Sequence, residues 1–88
     1  MSSYTYDEFR EIIVNFIEPK LINFNFDKNQ LSNEIDLLKS GILDSFDFID
    51  LVMHIEEKTE ISIDLSQLNS ETFTSLNGFI REAIFQQK

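Results

Sequence analysis

The reading turns on one stretch, Gly41-Ile42-Leu43-Asp44-Ser45-Phe46-Asp47-Phe48-Ile49-Asp50-Leu51-Val52-Met53-His54-Ile55-Glu56-Glu57-Lys58. It predicts a helix from Asp44 to Lys58, with Asp44 as the cap and Ser45, Phe46 and Asp47 in the first turn. At roughly 100° per residue, Phe48, Leu51, Val52 and Ile55 share one face and should meet the core. Phe46, Ile49 and Met53 fall largely on the other side, beside Asp50, Glu56 and Glu57. Either this helix is buried all round or it shows an apolar, acid-rimmed patch to a partner. In so small a chain, burial all round is hard to arrange.

Ser45 stands at the helix start, behind an aspartate and a turn led by Gly41. A hydroxyl there is exposed, and the unpaired backbone N–H groups and helix dipole beside it favour an attached phosphate. Serine in such a position is also, and more often, simply a cap.

Toward the N-terminus, Tyr6, Phe9, Ile12, Ile13, Phe16 and Ile17 recur at three- and four-residue spacing, predicting an amphipathic helix over about 4–18. Asp7, Glu8 and Glu11 suit its N-terminal dipole, and Pro19 is expected to stop it. The Lys20–Leu43 connection holds turn formers (Asn23, Asn25, Asp27, Asn29, Asn33) and apolar anchors (Leu31, Ile35, Leu37, Leu38). Beyond the central helix, Ile61 and Ile63 suggest an extended segment, followed by a brief helical turn near 66–72 docked by Leu65, Leu68 and Phe73. Ser75 reads as the cap of a last helix over about 76–86, with Leu76, Phe79, Ile80, Ala83 and Ile84 as its apolar stripe. The expected fold is all-α, a bundle of three main helices and one short one, forming a single domain over 1–88.

The chain has 88 residues, near the lower size for independent folding. With 42% hydrophobic and 26% charged residues it is globular in composition. Two glycines and one proline are too few for a turn-rich β-sandwich. There is no cysteine, hence no disulfide framework or thiolate zinc site. No apolar run has the length of a membrane span, and no secretory leader pattern opens the sequence, so a cytoplasmic location is expected. Sixteen acidic against seven basic residues give a net charge of −9, which repels nucleic acid and anionic lipid and attracts basic protein surfaces.

Catalytic constellations are scarce. His54, the single histidine, has no second ligand near it in sequence and reads as a partly exposed helix residue. Asp44, Asp47 and Asp50 are three apart, unlike a calcium loop. Ser45 has no histidine placed to act as its base. No self-contained enzyme is expected.

The quoted stretch resembles the phosphopantetheine attachment site of acyl carrier proteins, whose pattern is Asp-Ser-Leu, an acidic residue, and a Glu/Asp-Leu-Val-Met run ending in paired glutamates. Ile61-Ser62-Ile63 is similar to the family's post-helix segment, and Phe73-Thr74-Ser75-Leu76 to its approach to the last helix. The resemblance covers about 35–86 well, and the first helix by pattern only. It implies a 4'-phosphopantetheine arm on Ser45, attached from coenzyme A by a magnesium-dependent phosphopantetheinyl transferase, with Asp44 beside it. It further implies that Phe46, Asp47, Ile49, Asp50, Met53, Glu56 and Glu57, together with Asp44, face partner enzymes with basic docking surfaces: the transferase, an acyl- or aminoacyl-loading ligase and downstream transferases. A monomeric carrier of acyl thioesters is expected, with no nucleic-acid partner and no membrane insertion. Phe46 replaces the usual leucine, and Gly41 lies four residues before Ser45, where fatty-acid carriers have their glycine three before. Gly-Ile-Leu-Asp-Ser is closer to D-alanyl carrier proteins and to stand-alone carriers of specialised or cell-surface pathways. The alternatives are an aminoacyl carrier loaded by an adenylating ligase and an unmodified helical adaptor.

Overall fold

A computed structural model of the protein describes residues 4–23, 27, 31–64, 66 and 73–87. Among the described residues three helices follow one another: α1 (Tyr6–Ile22), α2 (Ser45–Thr59) and α3 (Leu76–Gln86). The fold is a small all-α bundle. Most of the expected short helix near 66–72 lies outside the described residues, as do Leu65 and Leu68.

α1 begins at a capping box. The Thr5 hydroxyl accepts from the Glu8 N–H (3.2 Å), and the Glu8 carboxylate accepts from the Thr5 N–H (2.9 Å). Its end departs from expectation: the helix runs through Pro19 to Ile22. A proline inside a helix loses one hydrogen bond and crowds the preceding turn, at a cost of about 3 kcal/mol. The next turn offsets that cost. Leu21 is buried to 1% exposure, an enclosure that stabilises by about 1.5–3 kcal/mol, and Lys20 places a cation at the negative end of the dipole. Tertiary burial overrides the local stop signal.

The core gathers Phe9, Ile13, Ile17 and Leu21 from α1, Phe48, Leu51 and Ile55 from α2, and Leu76, Phe79 and Ile80 from α3. Phe48 meets Phe79 and Phe73 edge-on, with ring centroids 5.3 and 5.4 Å away, the favoured geometry for aromatic pairs. The connections contribute Leu31, Leu37, Ile42, Leu43 and Ile63.

The connection before α2 is ordered by pairing with the approach to α3. Leu37 N–H donates to Thr74 O, Leu76 N–H to Ile35 O and Asn77 N–H to Asn33 O, each at 2.8 Å, around an isolated antiparallel bridge between Asp36 and Ser75. Asp36 accepts from Leu38 N–H, Lys39 N–H and the Thr74 hydroxyl. Burial acts to raise its pKa, but these donors outweigh it and hold the carboxyl below its ordinary value. Arg10 reaches from α1 to Asn33 Oδ1 (2.6 Å) and Leu31 O (2.8 Å). Gly41 then turns the chain at φ +84°, a conformation open to glycine at little cost.

The last two described residues of the chain act as amide clasps. Gln87 exchanges hydrogen bonds with both backbone groups of Tyr4 (2.9 and 2.7 Å), and Gln86 does the same with Asp64 (2.6 and 3.2 Å). Among the described residues, no helix is long and apolar enough to cross a membrane.

Candidate functional site

Ser45 is the first residue of α2 and is exposed. Its position is set from both sides, since Ile42 and Leu43 before it and Phe48 after it are all buried. Asp44 caps the helix. Its carboxylate accepts from Asp47 N–H (2.8 Å), its carbonyl accepts from Phe48 N–H (2.9 Å), and its own N–H donates to the Asp47 carboxylate (3.3 Å). These bonds use the third and fourth N–H groups of the helix. Those of Ser45 and Phe46 have no acceptor among the described residues, and neither does the Ser45 hydroxyl engage one. Two free donors at the positive end of a helix dipole lie beside an open hydroxyl, an arrangement that favours a phosphate linked there.

The acidic side chains fall into two groups. Asp44, Asp50 and Glu57 are exposed. Asp47 is half-buried and pairs with Lys20 of α1 at 3.1 Å; the Lys20 contact, helped by the Asp44 N–H, holds its carboxyl below the ordinary value. Glu56 is also engaged internally, accepting from Ile63 N–H at 2.8 Å and so fixing the segment after α2. The periodicity of α2 could not reveal either contact, because both partners lie on other parts of the chain.

The division of α2 into two faces stands. Phe48, Leu51, Val52 and Ile55 are buried, while Phe46, Ile49 and Met53 keep 81%, 48% and 58% of their surface exposed. Helix burial all round is thereby excluded. The eight residues expected to face partners therefore divide: Phe46, Ile49, Asp50, Met53 and Glu57 form one open acidic and apolar face, Asp44 is exposed at the helix cap, and Asp47 and Glu56 border that face while holding neighbouring segments. His54 lies half-buried with its ring 4.9 Å from that of Phe16. Among the described residues no group of acidic, histidine or cysteine side chains could hold a metal ion.

The family model described as "Phosphopantetheine attachment site" matches residues 23–82. The chain is 28% identical over 71 residues to a D-alanyl carrier protein of Streptococcus suis (strain 98HAH33), covering 81% of this chain and 85% of that protein. It is 27% identical over 75 residues to a D-alanyl carrier protein of Bacillus mycoides (strain KBAB4), covering 85% and 91%. The group this family holds covalently is 4'-phosphopantetheine, and the open hydroxyl with its two free N–H donors fits a phosphodiester. When bound, that group supplies a terminal thiol able to hold an acyl group as a thioester, chemistry that a chain without cysteine otherwise lacks. With the family model matching most of its length, the chain belongs to the phosphopantetheine-binding carrier proteins.

Proposed function

We propose that Ser45 is the attachment residue, and that the chain serves as one carrier domain presenting acyl groups to successive enzymes in a specialised or cell-surface pathway of the cytoplasm. The observation that carries this reading is the exposed Ser45 hydroxyl at the capped start of α2. In this role Asp44 and the Asp47 N–H fix the first turn, and the N–H groups of Ser45 and Phe46 are free to face the linked phosphate. The open face of Phe46, Ile49, Asp50, Met53 and Glu57 offers an apolar centre and a negative rim to enzymes of complementary, basic surface. The chain itself catalyses nothing and is the substrate of its transferase and loading ligase.

The test is direct. Incubated with coenzyme A, magnesium and a phosphopantetheinyl transferase, the wild-type chain should gain one arm by intact mass, and Ser45→Ala none. Uptake by the alanine variant would place the linkage elsewhere.

A second reading concerns the cargo. The two relatives are named D-alanyl carrier proteins, and the Gly-Ile-Leu-Asp-Ser approach resembles that of D-alanyl carriers, which favours an aminoacyl group loaded by an ATP-dependent ligase. Loading the arm-bearing protein with D-alanine, ATP and such a ligase, against transfer from acyl-coenzyme A, separates the two.

A further inference from the structure

We infer that Lys20 is an internal stand-in for a partner's cation: its ammonium occupies the Asp47 carboxylate beside Ser45, and a basic side chain of the docking enzyme displaces it on binding. This rests on Ser45 as the attachment residue.

The geometry leaves Asp47 little to offer while Lys20 is in place. One carboxylate oxygen accepts from the Asp44 N–H at 3.3 Å, and the other is the one that Lys20 approaches to 3.1 Å. Both contacts lower its pKa, and at neutral pH its negative charge is already answered by the Lys20 ammonium. The pair nonetheless sits at the rim. The two side chains keep 36% and 27% of their surface open, so an incoming cation can reach the carboxylate without disturbing the core. Exposed pairs of this kind contribute little, which makes exchange of one cation for another easy. Lys20 can reach the carboxylate because α1 continues past Pro19; a helix ending before the proline would not carry Lys20 on its last turn. Asp44 and Asp50, exposed on either side of Asp47 in sequence, would meet an approaching basic surface first.

The test is arm transfer from coenzyme A by a phosphopantetheinyl transferase to the full chain and its variants. Lys20→Gln should lower the KM for the carrier by about two- to fivefold with kcat unchanged, an effect that fades as salt rises. Because the substitution also makes the chain more negative as a whole, Lys58→Gln serves as the charge-matched control and should give a clearly smaller change. In an Asp47→Asn background, Lys20→Gln should change nothing. An unchanged or raised KM, a fall in kcat, or the same gain from Lys58→Gln or with Asp47 replaced overturns the proposal and leaves the Ser45 reading intact. A wild-type chain that accepts no arm overturns the Ser45 reading, and this proposal with it.

Discussion

Leu51 and Met53 are next-but-one neighbours on α2, yet Leu51 is fully buried and Met53 keeps 58% of its surface open. The same contrast separates Phe48, at 4%, from Phe46, at 81%. Side chains of like chemistry are thus divided by angle around the helix axis, and only one set can be explained by folding. A large apolar residue in the core needs no other reason to be there. Three left open in a row on a helix headed by an exposed serine do. The inward face answers to stability, and the outward face to whatever the chain meets.

The strongest challenge to this contrast is Leu51→Ala. Loss of a fully buried leucine should destabilise by about 2–5 kcal/mol, seen as a lower denaturant midpoint with an unchanged slope. A loss no larger than that of Met53→Ala would erase the distinction between faces. An intermediate effect is expected on acidification, which probes the boundary between the faces. The carboxyls of Asp47 and Asp36 are both held below their ordinary 3.8, so the unfolded chain takes up their protons first. Their contribution is full above that value and is lost as pH falls through the lower folded values. Denaturant midpoints measured down through this window should decline, less steeply in Lys20→Gln; no decline would contradict the contacts described for both carboxylates. The smallest change in stability should come from Asp50→Lys on the open face, within about 0.5 kcal/mol of wild type. The same variant should bind transferase more weakly, most visibly at low salt, and an unfolded variant would show that Asp50 supports the fold instead.

Much of this was legible in the sequence where the determinants are local. Asp44 and Ser75 mark the starts of α2 and α3 because a cap acts within its own turn, and the two faces of α2 follow from its period. The end of α1 was not legible. Pro19 is a valid local stop, overridden by the burial of Leu21 against residues distant in the chain. The connection before α2 showed its anchors, Leu31 and Leu37, but not the bridge of Asp36 to Ser75 that orders it, since no periodic signal announces an isolated pair. At the start of α2, the exposure of Ser45 and of the outward face was readable. The engagement of Asp47 by Lys20 and of Glu56 by Ile63 was not, because each depends on where another segment comes to rest.

The Gln87 clasp on Tyr4 has a topological consequence. It brings the beginning of the first helix and the end of the last side by side, whereas Lys20, which meets the serine-bearing helix, stands roughly 20 Å further along α1 at its rise per residue. A peptide linker closing residues 4 and 87 into a ring, or a fluorophore fused there, would therefore crowd the pole remote from Ser45 and leave the start of α2 unobstructed.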